Sequence, residues 1–361
     1  MTDNPERLHG LREKIDTLDL QLIALLTERA KVVLDVGEFK RDTKTPIYAP
    51  HRERKVLERV LAHNKGPLSD RTIEAIYREL MSGSFQLEKP LAIAHLAPIG
   101  SFSHIAAIRH FGSSVDCVGV PTINRVFREV AAGHCNYGLV PYENTTSGSV
   151  TDTLDAFRDH DVTIYAEALI DIRHCLLCNG PTNEITKIAS KPQVITQCRK
   201  WLAEMFPNVE LIETPSSAQA VTLAATDPHI GAIGSALAGH EHSVEIALEN
   251  VQDRPENITR FLILAKEAAQ PTGDDKTTIM FTTKHKPGAL VDVLAAFRDN
   301  GINLSHIDKR PSGRVNWNYT FYIDADAHRD TPELKQAIKT AAKHCTSIEL
   351  LGSYPKAGQV L

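Results

Sequence analysis

Arg29 stands where the pattern around it calls for an apolar side chain. Leu8, Leu11, Ile15, Leu18, Leu22 and Leu25 recur at alternating steps of three and four, and the count continues through Arg29 to Val32 and Val36. Such a row is a heptad stripe along one helix. A guanidinium on it is costly to bury unless an anion meets it. Lys40 follows eleven residues later, about three helical turns, so it projects to a similar side. Arg12 neighbours Leu11, while Ser84 lies four residues beyond Leu80 and Glu88 four beyond Ser84, on one face of a later helix. A coiled coil with one polar layer, or an internal Arg–Glu pair, would account for a single misplaced charge. Several cations converging with Ser84 and Glu88 predict instead a dry cavity for a small dianion.

Three polar segments lie farther along. GSFSHIAA (Gly100 to Ala107) sets Ser101 and Ser103 beside a glycine just before a helix. VPYENTTSGSV (Val140 to Val150) follows a strand-like run and strings together Glu143, Asn144, Thr145, Thr146, Ser147 and Ser149. NITRF (Asn257 to Phe261) places Thr259 and Arg260 at the start of an apolar run. Hydroxyls and free N–H groups at helix starts suit carboxylate binding. Taken singly, such clusters are turns and caps. The 16 histidines form no HExxH pattern and the six cysteines are scattered. Cys175-Leu176-Leu177-Cys178 reads as part of a core strand, so no metal site and no cofactor is expected.

These groups need elements to hold them. With 361 residues, 42% hydrophobic and 24% charged, the chain predicts a globular protein of two or three domains. A net charge of −5 gives no pull towards nucleic acid or anionic membrane, so neither is an expected partner. No apolar run approaches about 18 residues. No hydrophobic leader follows MTDNPERLHG, and a cytoplasmic enzyme is expected.

Leu8 to Val36 contains no proline and predicts one long helix; a second runs from about His51 to His63, and Ser69 caps a third. From Leu91 to about Leu264, strand-like runs such as LAIAHL, YGLVPY and IGAIGS alternate with helical segments, the sign of α/β units. KEAAQPTGDD, residues 266–275, reads as a linker. Beyond it come TTIMFTT, a helix from Gly288 to Asp299, two strands joined by a Gly-containing turn, a helix from Pro332 to His344 and SIELLGSY. That is βαββαβ, the ferredoxin-like α+β order. The chain is therefore expected to be multidomain, divided as 1–90, 91–265, a linker 266–275, and 276–355.

LREKIDTLDLQLIALLTERAKVVLDVGEFK, IYAPHRERKVLERV and IYRELMSGSFQLE resemble the all-helical chorismate mutases. That resemblance implies three helices in an intertwined homodimer or higher homo-oligomer, with chorismate as substrate. Chorismate rearranges without acid, base or covalent help, so such an enzyme holds the reactive conformer and stabilises charge on the breaking ether oxygen. By resemblance, Arg12, Arg29 and Arg52 hold carboxylates, with Arg12 reaching in from the second subunit. Lys40 and Glu88 address the ether oxygen, Glu53 the substrate hydroxyl, and Ser84 assists. Two positions depart from the pattern: Ala49 replaces an Asp of some relatives, and Glu88 replaces a Gln. A carboxylate at 88 would repel the ether oxygen unless protonated, a form that burial favours.

The three polar segments, with RHCLL and SKPQVITQC, resemble prephenate dehydratase over residues 91–265. The implied fold is a two-lobed α/β domain like a periplasmic binding protein, with prephenate in the cleft. Thr259 is then the donor to the departing hydroxyl and Glu143 the ultimate proton source. Asn144, Ser149, Ser101, Ser103 and Gln197 contact substrate, and Arg260 either does so or pairs with an acid. KPGALVDVLAAF and NLSHIDKRPSG resemble the ACT domain. The implied effector is phenylalanine, held by Gly288, Ala289 and Leu290 and by Asp308, Arg310 and Pro311; Asp308-Lys309 replaces the usual Glu-Ser. Together the resemblances imply a bifunctional enzyme of phenylalanine biosynthesis that makes prephenate from chorismate and then phenylpyruvate, under feedback. The alternatives are a dehydratase for arogenate or prephenate whose helices only dimerise, and a non-catalytic amino-acid-binding regulator.

Overall fold

The computed structural model describes residues 4–361 apart from Lys44, His285 and 312–318. The turn expected around Gly313 lies outside the described residues. Three helices open the chain: α1 (Asn4–Thr43), α2 (Pro50–His63) and α3 (Asp70–Glu88). Pro50 occupies the first turn of α2, where its missing N–H removes no helical bond. Ser69 Oγ accepts from Thr72 N at 3.2 Å and caps α3.

The inner face of α3 carries Met81 and Phe85 into a core shared with the next domain. Tyr48 is the centre of that junction, with the rings of Phe85, Phe111 and Tyr137 at 5.9, 5.0 and 5.3 Å. Its hydroxyl meets His110 Nε2 at 2.6 Å. The heptad stripe behaves differently. Leu8, Leu11, Ile15, Leu18, Leu22 and Leu25 are 47% to 64% exposed, because a single chain gives that side of α1 nothing to pack on.

The next region forms two lobes. The first holds β1 (Ala92–Leu96), α4 (Phe102–Phe111), β2 (Asp116–Val120), α5 (Ile123–Ala132), β3 (Tyr137–Asn144), β4 (Gly148–Ser149), α6 (Thr151–Ala156) and β5 (Thr163–Asp171). The second holds β6 (Cys175–Leu177), β7 (Lys187–Ser190), α7 (Pro192–Gln197), α8 (Arg199–Met205), β8 (Glu210–Glu213), α9 (Ser217–Thr226), β9 (Ile230–Gly234), α10 (Ala236–Glu241) and β10 (Ile246–Leu248). The chain then returns to the first lobe as β11 (Ile258–Ala265), between β3 and β5 in the order β2-β1-β3-β11-β5. The second sheet runs β10-β6-β9-β7-β8. Phe261 to Leu264 are at most 2% exposed, so this returning strand is the buried rail of the first lobe.

The last domain comprises β12 (Asp275–Thr283), α11 (Ala289–Arg298), β13 (Leu304–Pro311), β14 (Tyr319–Ala325), α12 (Pro332–Ala341) and β15 (Cys345–Pro355). Its sheet runs β13-β14-β12-β15. Alternation along β14 divides the faces. Ile323 and Ala325 turn to the helices, whereas Tyr322 joins the core of the first lobe.

Candidate active sites

A cavity of about 1090 Å³ opens in the helical domain, with Arg29, Lys40, Arg52, Glu53, Ser84 and Glu88 in its wall. Arg29 Nη1 donates to Ser84 Oγ at 2.8 Å, and Lys40 Nζ stands 2.7 Å from Glu88 Oε2. Gly37 makes the second contact feasible: a Cβ there would come within 3.1 Å of Glu88 Cα, so glycine lets α1 and α3 approach. Lys40 also donates to Ile47 O at 3.0 Å. Burial is the expected influence on Glu88, and the structure also sets the Lys40 ammonium directly against that side chain. Burial pushes the Glu53 carboxyl up to about 8, against the pull of Arg78. Ala49 provides no side-chain cap for α2. Arg12 is exposed on α1 and lies outside this cavity. Tyr165 and Gln270, from beyond the helices, close one wall; neither carries a sequence signal for that role.

In the two-lobed domain, β3 and β11 pair so that Thr259 lies opposite Asn144 and Arg260 opposite Glu143. Asn144 Nδ2 donates to Thr259 Oγ1 at 2.9 Å and to Asn257 Oδ1 at 2.8 Å. Its Oδ1 accepts from Thr146 N at 2.9 Å and Ser147 N at 3.0 Å, which folds the following turn over it. Since Thr259 Oγ1 accepts from Asn144, its own proton remains available to a ligand. Gln197, at the end of α7, reaches across from the second lobe: its Nε2 donates to Thr146 Oγ1 at 3.0 Å. Gln197 Oε1 sits 2.8 Å from His174 Nε2, which fixes the tautomer of that buried imidazole. Burial lowers the His174 pKa, against the raising effect of Gln197.

Ser101 is committed to the fold: its Oγ donates to Leu96 O at 3.0 Å and accepts from His104 N at 3.2 Å as the cap of α4. Ser103 is buried in the first turn of that helix. Ser149 pairs with Glu143 across β3 and β4, on the other side of the sheet from Asn144. Glu143 and Arg260 also need correction as groups beside Thr259. Arg260 points away from the cleft and is 7% exposed, with Nε 2.7 Å from Glu167 Oε2 and Nη1 2.6 Å from Asp324 Oδ2. Glu143 lies 3.4 Å from His306 of the last domain. The hydrogen bond from His306, opposed by burial and aided by Arg260, holds the Glu143 carboxyl below its usual range. Its side chain therefore lies on the face of the sheet opposite Thr259, turned towards the last domain.

Gly288 adopts φ 79° at the N-cap of α11, a left-handed conformation that glycine tolerates, and among the described residues no atom lies within 4 Å of where a Cβ would stand. Ala289 is buried and Leu290 half-buried behind it. Asp308 and Arg310 alternate with Ile307 and Lys309 along β13. Arg310 is not free for an effector here: Nη2 and Nε reach Asp155 of α6 at 2.6 and 3.1 Å, a bidentate pair between domains. Pro311 O accepts from Arg158 Nη1 at 2.9 Å. Among the described residues, His95, His104 and Cys117 bring three ligand-type atoms within 4.8 Å of one another. His104 Nδ1 is already engaged by Gly100 N–H at 3.1 Å. Among those residues, too, no helix is long and apolar enough to cross a membrane.

Family models match in the order of the three domains: "Chorismate mutase type II" over residues 11–89, "Prephenate dehydratase" over 93–269 and "ACT domain" over 277–342. A bifunctional chorismate mutase/prephenate dehydratase of Pseudomonas aeruginosa is 41% identical over 359 residues, covering 98% of both chains. One of the same name from Aquifex aeolicus is 39% identical over 357 residues, covering 98% of this chain and 99% of the relative. A prephenate dehydratase from Arthrobacter aurescens, solved with L-Phe, is 29% identical with a TM-score of 0.69, covering 75% of this chain and 92% of that one. Both activities thus have a domain in one polypeptide, an isomerase joined to a carbon–oxygen lyase, and the chain belongs to the bifunctional chorismate mutase/prephenate dehydratase family.

Proposed function

We propose that the helical cavity rearranges chorismate to prephenate and that the Asn144–Thr259 cleft converts prephenate to phenylpyruvate. Support for the first half is the convergence of Arg29, Lys40, Arg52, Glu53 and Glu88 on one cavity. Arg29 and Arg52 hold the two carboxylates of chorismate, and Arg12 of a second copy completes the grip. Lys40 meets the ether oxygen as its bond to carbon breaks and the new carbon–carbon bond forms. A neutral Glu53 donates to the substrate hydroxyl, and Ser84 keeps Arg29 in place. The exposed stripe of α1 favours a homodimer, since that much apolar surface calls for a partner.

In the cleft, Thr259 donates a hydrogen bond to the ring hydroxyl of prephenate. The carbon–oxygen bond breaks, the ring carboxylate departs as carbon dioxide, and its electron pair completes the aromatic ring. The hydroxide leaves as water with a proton from solvent. Asn144 holds Thr259, and Gln197 joins the lobes around the substrate. Phenylalanine acts as effector through the C-terminal domain, near Gly288 to Leu290. Free cysteines at all six positions fit a reducing compartment such as the cytoplasm.

The observation that carries this reading is the Asn144–Thr259 contact beside the lobe junction, in the same chain as the cation-lined cavity. The test supplies purified protein with chorismate and follows prephenate and phenylpyruvate, with and without phenylalanine. Prephenate accumulation without phenylpyruvate would defeat the second half, and no consumption of chorismate would defeat the first.

A further inference from the structure

Glu143 and Asn144 are neighbours on β3, and Thr259 and Arg260 are neighbours on β11. Side chains alternate across a strand, so Asn144 and Thr259 face the cleft while Glu143 and Arg260 face the C-terminal domain. That domain grips both rear residues. Asp324 Oδ2 accepts from Arg260 Nη1 at 2.6 Å, and Tyr354 OH accepts from Arg260 Nη2 at 2.9 Å. His306 Nδ1 stands 3.4 Å from Glu143 Oε2, with the ring of Tyr142 centred 5.2 Å away. Glu167 and Lys276 complete the cluster at 3.2 Å from each other. Asp324 is 0% exposed, so its charge depends on Arg260 and on Thr278 Oγ1, which donates to it at 2.7 Å. His306 and Asp324 are themselves a cross-strand pair of β13 and β14, and β13 continues into Asp308 and Arg310.

We propose that His306 and Asp324 are positioning residues of the dehydratase site, and that they link it to the C-terminal domain. They hold Glu143 and Arg260 from behind and so fix Asn144 and Thr259 in front. The proposal rests on the reading that Asn144 and Thr259 serve prephenate. A displacement of β13 and β14 against the first lobe breaks buried ion contacts, and a buried charge left without its partner is strongly disfavoured. The contacts are therefore either made or lost, the two-arrangement behaviour that coupling between sites requires.

The test uses the full chain. In His306→Leu, dehydratase kcat falls about tenfold with a smaller change in KM, and half-inhibition needs about fivefold more phenylalanine although calorimetry still detects its binding. Mutase turnover stays unchanged. His306→Gln keeps an N–H towards Glu143 and recovers most of the loss. Unchanged dehydration and unchanged phenylalanine response in His306→Leu overturn the proposal. A parallel loss of mutase turnover marks unfolding, and Asp324→Asn then decides by the same two readings. Amide hydrogen exchange gives a reading independent of turnover: phenylalanine alters exchange in 140–149 and 257–262 of the wild-type chain but not in His306→Leu. Equal responses in the two chains, or none in the wild type, overturn the link. Absence of dehydration in the wild type defeats the proposed function alone, because the exchange measurement still decides the link.

Discussion

Lys40 Nζ lies 2.7 Å from Glu88 Oε2 inside the helical cavity, an ammonium and a carboxylate brought together from the ends of two helices. This pair sets up a competition. In the proposed mechanism Lys40 meets the breaking ether oxygen, yet Glu88 holds its ammonium at 2.7 Å. Replacing the carboxylate by an amide frees the ammonium and removes a negative charge from the oxygen's surroundings. Glu88→Gln is therefore expected to raise mutase kcat/KM by several-fold. Initial rates of chorismate loss check this; equal or lower activity counts against the competition.

Glu53 carries a separate pH signal. Its carboxyl ionises near 4.5 when unfolded and near about 8 in the folded protein, because burial penalises the charged form. Between those values the unfolded chain has released a proton that the folded one keeps. Stability from this group is therefore greatest below the lower value, declines as pH rises, and levels off above the upper one. Glu53→Gln has no such term, so its melting temperature gains on the wild type as pH increases from 5 to 8. Calorimetric melts of both chains at several pH values give the comparison, and a constant difference would refute the shift.

For the cleft, Thr259→Ala removes the hydroxyl while Asn144 keeps its bond to Asn257. Loss of a single donor to a leaving or charged oxygen costs about 100-fold or more in kcat. The same loss is expected for prephenate turnover, with mutase activity unchanged and Thr259→Ser partly active. Near-normal turnover by Thr259→Ala removes the residue from the mechanism.

Periodicity made much of this architecture readable in the chain. The step of three and four marked α1, Ser69 marked the start of α3, and short apolar runs marked the strands of both lobes. The polar segments also marked their neighbourhood, since Asn144, Thr259 and Gln197 meet through direct or shared hydrogen bonds. What could not be read was the face each residue takes. Glu143 sits beside Asn144 in sequence yet on the opposite side of the sheet, and its partner His306 lies 163 residues away. Arg310 looked available for an effector because Asp155, its partner, belongs to a distant helix. Gly37 carried no motif at all; its role appears only when α3 approaches it.

Gly100 joins the lobes by backbone geometry. It adopts φ 79°, and a Cβ would fall 2.8 Å from Ala238 Cα of the second lobe. Its carbonyl accepts from Ser235 Oγ at 2.6 Å. Gly100→Ala must then both strain the turn and push the lobes apart, destabilising by more than about 1 kcal/mol. Dehydratase kcat/KM is expected to drop while mutase kinetics hold, because this turn is no part of the helical cavity's wall. Denaturant melts together with the two assays separate these effects, and wild-type dehydration would mean that the lobes close without this contact.

The stripe on α1 makes the last prediction. Leu18 is 61% exposed in the single chain, in a row of leucines and isoleucines that an aqueous surface does not favour. Arg12 lies on the same helix and outside the cavity of its own chain, so it can serve a cavity only from a second copy. Leu18→Lys places a charge in the middle of the row. In a two-fold interface each substitution occurs twice on self-complementary surfaces, which doubles its cost. Sedimentation is expected to detect dissociation, accompanied by loss of mutase turnover as Arg12 is withdrawn. Dehydration, for which the proposed Asn144, Thr259 and Gln197 meet within one chain, should persist. If Leu18→Lys keeps the wild-type association state and full mutase activity, the stripe is not the contact between copies and Arg12 has no part in the reaction.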